Sequence, residues 1–120
     1  MFLALVAAAI GTPTVEAGDF ECAAAYFALG KRYELSEGSS ASVEAELRRR
    51  TSLFLVRGGY DPESEDVRML LEDAWQTGVR AAATSSDPGE RDRIALAVTQ
   101  SLYARVRSCD ERAGLPSLVG

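Results

Sequence analysis

The side chains with the most reactive chemistry in this sequence are those of its two cysteines, Cys22 and Cys109. Two cysteines that lie far apart in a chain are typical of a protein that folds in an oxidising compartment, where such residues pair. The alternatives are a redox-active pair and two buried free thiols in a cytosolic protein. We interpret Cys22 and Cys109 as a structural disulfide.

Histidine is absent from the sequence, which excludes several kinds of site. There is no Ser-His or Cys-His pair for nucleophilic catalysis and no imidazole ligand for a metal ion. The C-x-x-C-H motif of haem attachment is also missing, as are a Gly-rich phosphate loop and a Ser-x-x-Lys motif. We therefore predict a protein that is not an enzyme, with no catalytic residue, no metal ligand and no cofactor.

Charged residues cluster at two places. Arg48 to Arg50 could bind a phosphate or an acidic partner, but three consecutive residues of a helix point in different directions, and Glu44 and Glu46 lie one turn away. We expect the triplet to form a solvated face. The net charge of −5 disfavours nucleic acid as a partner.

The acidic cluster lies further along the chain, and its members are Glu63, Glu65, Asp66, Glu72 and Asp73. The spacing of a calcium-binding loop is missing. The first three residues fit the start of a helix, where the helix dipole favours negative charge. We predict no cation site.

Six aromatic residues recur at helical spacing: Tyr26, Phe27, Tyr33, Phe54, Trp75 and Tyr103. They could line a pocket for an apolar ligand between helices. A plain hydrophobic core is the commoner role of such residues, and we keep the pocket as the alternative.

The first 17 residues have the pattern of an export signal. An apolar run from Phe2 to Ile10 is broken by Gly11 and Pro13, and Val15 and Ala17 suit a cleavage site. No Lys or Arg precedes the run, so the alternative is an N-terminal element packed on the core. The run is too short to span a bilayer. We predict a signal peptide over residues 1–17 and a periplasmic or secreted protein.

The remainder, residues 18–120, reads as a single all-α domain of four helices. The helices are expected from about Phe20 to Leu35 after an Asp19 N-cap, from near Ser42 to Gly58, from Asp61-Pro62 to about residue 83, and from Asp87-Pro88 to Gly114. Short loops make successive helices antiparallel, as in an up-and-down four-helix bundle. The start of the first helix and the end of the fourth then lie at the same end, which brings Cys22 and Cys109 together. The tail after Gly114 is either loose or folded over the end of the bundle.

Two short motifs carry a resemblance. Glu21 to Tyr26 reads Glu-Cys-Ala-Ala-Ala-Tyr, and Ser108 to Asp110 reads Ser-Cys-Asp. With these motifs the chain resembles the small uncharacterised secreted helical proteins of alphaproteobacteria. The resemblance implies a periplasmic location and a helical fold, and it implies no particular activity.

These observations favour an exported, non-enzymatic helical bundle that binds a protein or a component of the cell envelope. The first alternative is a carrier or sensor that holds a small apolar ligand in the bundle, and the second is an enzyme. The expected partner is a periplasmic protein or a second copy of the chain, with no nucleic acid and no membrane span.

Overall fold

The computed structural model describes residues 18–36, 38, 40–83 and 86–118, without the side chains of 81–83. This part of the chain is helical and contains no strand, which confirms the predicted all-α fold of four helices. The predicted signal peptide lies outside the described residues. The helices are α1 (Asp19–Glu34), α2 (Ala41–Arg57), α3 (Glu65–Ala83) and α4 (Pro88–Arg112).

Helix α1 begins one residue earlier than the N-cap prediction implies. Gly18 is the N-cap, and its backbone N–H donates a hydrogen bond to the side chain of Glu21 at 2.6 Å. Asp19 is already helical, and its carboxylate pairs with Arg112 at the end of α4 at 2.6 Å. The aspartate thus joins two helices and does not cap its own.

The prediction that α3 begins at Asp61-Pro62 is wrong. The side chain of Asp61 accepts a hydrogen bond from the backbone N–H of Glu63 and forms a turn before the helix. Ser64 accepts from the N–H of Val67, and α3 begins at Glu65. Asp61-Pro62 thus forms a turn, and Ser64, three residues after Asp61, caps the helix.

The other helix ends follow the expected signals closely. Ser40 caps α2, and Asp87 caps α4 with Pro88 in its first turn. Gly59 and Gly114 follow the ends of α2 and α4 with φ of 85° and 68°, a left-handed conformation that glycine adopts without a Cβ clash.

Helix α1 lies in the middle of the fold, since its backbone approaches those of the other three helices, and α3 also approaches α4. The α1 face predicted from helical spacing is largely confirmed, with Cys22, Tyr26 and Leu29 fully buried and Tyr33 partly buried. One hydrophobic cluster unites the described residues. Its buried members are Cys22, Ala23, Ala25, Tyr26, Leu29, Leu47, Phe54, Leu55, Val67, Leu71, Val106 and Cys109.

The disulfide forms at the end of the fold where α1 begins and α4 ends. The sulfurs of Cys22 and Cys109 are 2.11 Å apart and their Cα atoms 5.8 Å. Both cysteines are buried in the core. The antiparallel arrangement of α1 and α4 therefore places the pair as the sequence predicts.

Candidate ligand-binding groove

A half-open groove of about 420 Å³ runs between α1, α3 and α4. Its walls are mostly apolar, and aliphatic side chains from α3 and α4 face alanines of α1. We call it the α1/α3/α4 groove. It is lined by Ala24, Ala25, Ala28, Arg32, Ala74, Trp75, Gly78, Val79, Ala95, Val98, Ser101, Leu102 and Arg105.

Small residues at the helix contacts create this space. Ala24 and Ala28 occupy one face of α1, and Ala74 and Gly78 occupy successive turns of α3. A Cβ atom built on Gly78 would meet no atom within 4 Å. Side chains of this size cannot fill the space between three helices, so a groove remains where larger residues would have closed the core.

The apolar stripe predicted for α4 borders both the core and the groove. Val106 and Cys109 are buried, whereas Ile94, Val98 and Leu102 are only partly buried. On α3, likewise, Val67 and Leu71 are buried but Leu70 and Ala74 are exposed. The spacing therefore identified the correct faces, but part of each predicted stripe faces the groove or solvent.

Two arginines supply the charge in the groove. The side chain of Arg32 is partly buried and donates a hydrogen bond to the hydroxyl of Thr99 on α4. Arg105 is exposed and lies on α4. Among the residues that the structure describes, no acidic side chain lines the groove, and neither arginine forms an ion pair with them. The groove is thus apolar and locally positive in a chain whose net charge is −5.

Of the six aromatic residues considered for a pocket, only Trp75 lines the groove. Tyr26 and Phe54 are fully buried and stack with ring centroids 5.6 Å apart. The remaining three, Phe27, Tyr33 and Tyr103, are partly buried against the core. Most of the set is therefore core, and the groove lies beside it.

A second set of polar residues is buried next to the disulfide. Asp110 follows Cys109 and is 1% exposed, and Arg50 of α2 is 3% exposed. Oδ1 of Asp110 accepts hydrogen bonds from the Tyr26 hydroxyl and from Nη1 of Arg50, the latter at 2.8 Å. Oδ2 accepts the backbone N–H of Leu118 at 3.2 Å. We call Tyr26, Arg50 and Asp110 the buried polar cluster.

The buried polar cluster has the character of a structural element. Every buried side-chain nitrogen and oxygen among the described residues has a hydrogen-bond partner. Burial, together with the Asp110 carboxylate, raises the pKa of the Tyr26 phenol well above its usual value and keeps it neutral. Arg50 also donates to the carbonyl of Pro116, so the cluster ties the chain after α4 to the end of the fold. The tail is thus folded over the bundle as far as residue 118.

The prediction that the arginine triplet forms a solvated face is wrong for Arg50. Arg48 and Arg49 are exposed, but the guanidinium of Arg50 enters the core. Glu46 pairs with Arg49 at 2.5 Å and with Arg50 at 2.6 Å. Hydrogen bonds from these two arginines lower the pKa of the Glu46 carboxyl from 4.5 to about 2. Asp110, a buried acid on α4, compensates the charge of Arg50. The residues near Arg50 in the sequence give no sign of this distant partner.

The acidic cluster is dispersed in the structure. Glu65 and Asp66 occupy the first turn of α3, while Glu72 pairs with Lys31 of α1 at 3.2 Å. Within the described ranges, no three His, Cys, Asp or Glu side chains are placed to hold a metal ion.

A second hollow, of about 390 Å³, lies between α1, α2 and the segment that leads into α3. Its lining mixes acidic side chains such as Glu34 and Glu63 with basic ones such as Lys31, Arg48 and Arg68. Because charged side chains of both signs line this hollow, it is less apolar than the α1/α3/α4 groove, which is the better candidate for an apolar ligand.

Comparisons of the chain with protein-family models, with curated proteins and with solved structures find no match. The resemblance to secreted helical proteins of alphaproteobacteria therefore stays a prediction.

Sequence reasoning missed the residues that give both sites their character. Arg32 lies one turn beyond Ala28, so its position on the small-residue face of α1 was visible in the spacing. Asp110 next to Cys109 was a weaker signal, because only the disulfide indicates that this turn of α4 is buried.

Proposed function

We propose that the protein is an exported, non-enzymatic binding protein whose α1/α3/α4 groove holds a small apolar ligand. The observation that carries this proposal is the groove itself. Its volume of about 420 Å³ lies within the range of small-molecule sites, and its walls are largely apolar with few polar groups, as in such sites.

Export is supported by two features. The disulfide between Cys22 and Cys109 is expected in an oxidising compartment. The apolar run at residues 2–10 has the length of a signal-peptide core. Among the described helices, none combines the length and apolar character needed to cross a membrane.

A small ligand is favoured over the protein partner that the sequence suggested. The exposed large apolar side chains are spread over the helices and their connections, and single exposed residues of this kind are ordinary. They are Leu35, Val56, Tyr60, Met69, Leu70, Val79 and Leu96. Both the binding of a protein or envelope component and the binding of a small ligand stay predictions, and the groove supports the second.

The proposal can be tested with an uncharged apolar probe, N-phenyl-1-naphthylamine. Trp75 is the only tryptophan and lines the groove, so energy transfer from it to a bound probe reports binding there. We expect saturable binding to the wild-type protein. Gly78→Leu should weaken binding by about tenfold or more, because the new side chain occupies the open space beside Gly78.

The matched control is Ala104→Leu, which introduces the same side chain at an exposed position of α4 that does not line the groove. This variant should bind the probe as the wild type does. Circular dichroism checks that both variants are folded. Equal binding by Gly78→Leu and wild type, or no saturable binding by the wild type, would refute the proposal.

A further inference from the structure

The two arginines of the α1/α3/α4 groove lie at different levels along it. Helices α1 and α4 are antiparallel, since Cys22 is joined to Cys109 and Arg32 is bonded to Thr99. Arg105 is six residues beyond Thr99, about 9 Å along the helix axis towards the disulfide. Arg32 thus reaches α4 at Thr99, about 6 Å from the Ala95 end of the lining, and Arg105 lies at the opposite end.

Arg32 is the better placed of the two to hold an anion. Its side chain is partly buried and is oriented by the Thr99 hydroxyl. Among the described residues, this bond occupies one of the five N–H donors of the guanidinium. Arg105 is exposed, so its charge is solvated and screened. A partly desolvated guanidinium binds a carboxylate through short, charge-assisted hydrogen bonds in a fixed geometry.

The apolar part of the groove is continuous with Arg32. Ala24, Ala28 and Arg32 follow one another at intervals of four residues on one face of α1. On α4 the lining extends from Ala95 to Arg105, about 15 Å of helix. A single hydrocarbon chain can lie along this apolar wall with its charged group beside Arg32.

We infer that the ligand is an amphipathic carboxylate, whose single hydrocarbon chain lies in the α1/α3/α4 groove and whose carboxylate pairs with Arg32. This inference rests on the proposed function, since it names the ligand class for the same groove. It explains why the described walls of the groove carry two cations and no acid in an acidic protein.

The test compares dodecanoate with 1-dodecanol, which have chains of the same length, below their aggregation limits. Binding is followed by the fluorescence of Trp75. The wild type should prefer dodecanoate, and Arg32→Gln should weaken dodecanoate binding by about ten- to a hundredfold while leaving dodecanol binding unchanged. Glutamine removes the charge and keeps a polar side chain, and circular dichroism checks that the variant is folded.

Two further variants make the result specific. Arg105→Gln removes the same charge from the same groove and should have a much smaller effect, while Arg32→Lys keeps the charge and should retain the preference for dodecanoate. Equal binding of acid and alcohol by the wild type would overturn the inference and leave the apolar groove intact. A preference abolished by Arg105→Gln but not by Arg32→Gln would overturn the assignment to Arg32. Failure of both probes to bind would overturn the proposed function as well.

Discussion

The buried polar cluster makes a quantitative prediction about Asp110. This carboxylate is 1% exposed and contacts Tyr26, Arg50 and the backbone of Leu118. The substitution Asp110→Ala removes the acceptor of all three hydrogen bonds. It also leaves the guanidinium of Arg50, 3% exposed, without its most buried counter-charge.

The expected loss follows from the partners that remain. Breaking a buried ion pair by removing one member typically costs about 3–5 kcal/mol. Arg50 retains Glu46 at 2.6 Å and the Pro116 carbonyl at 2.9 Å, so its charge is still partly compensated. We therefore expect a loss near the lower limit, about 3 kcal/mol, out of a total stability of about 5–15 kcal/mol for a domain of this kind.

Urea denaturation of the oxidised protein, followed by circular dichroism, measures this loss. The control is Asp92→Ala, the same substitution at an exposed position of α4, which should change stability by less than about 0.5 kcal/mol. The pair Arg50→Met with Asp110→Leu removes both charges and should recover part of the stability lost by Asp110→Ala, because no buried charge is then left unpaired, while the Tyr26 hydroxyl and the Leu118 N–H still lack this acceptor.

A loss below about 1 kcal/mol for Asp110→Ala would refute this reasoning, since it is the size of one ordinary hydrogen bond. A double variant less stable than Asp110→Ala would also contradict it, because the cost would then not arise from an unpaired charge.

Three further predictions concern stability. Replacing Cys22 and Cys109 by alanine opens a loop with a sequence separation of 87 and should cost about 4.6 kcal/mol in the chain-entropy account, measured by urea denaturation, and a cost below about 1 kcal/mol would contradict it. Truncation after Gly114 removes hydrogen-bond partners of the buried polar cluster and should cost about 1–3 kcal/mol in the same assay, whereas an unchanged midpoint would show that the tail contributes nothing. The lowered pKa of Glu46 stabilises the fold above pH 4.5, and this contribution is lost as the pH falls from 4.5 towards 2. The wild type should therefore lose stability more steeply in that window than Glu46→Gln, and parallel pH profiles would contradict the ion pairs.

Much of the fold could be predicted because the relevant signals are local. Asp87-Pro88 and Gly114 mark the limits of α4, and the spacing of Cys22, Tyr26 and Leu29 identifies the buried face of α1. Antiparallel helices then place the cysteines together without further information. Where local signals compete, as at Asp61 and Ser64, the sequence does not decide which residue caps the helix.

The binding features could not be predicted in the same way, because they depend on pairs from different helices. The burial of Arg50 requires Asp110 of α4, and the orientation of Arg32 requires Thr99. The groove depends on small residues of three helices that line the same space. Each of these residues alone is an ordinary small residue of a helix. Helical spacing gives the face of a residue but not its neighbour across the interface.

The most direct test of the central claim is the intact mass of the protein purified from its native cell envelope, measured under native and then under denaturing conditions. We expect the mass of residues 18–120 less the two hydrogens of the disulfide. We also expect an additional mass of an apolar carboxylic acid that is lost on denaturation and reduced in Gly78→Leu. A cleaved and oxidised chain that carries no such ligand, even after addition of dodecanoate, would contradict the ligand-binding claim. An uncleaved chain with two free thiols would contradict export.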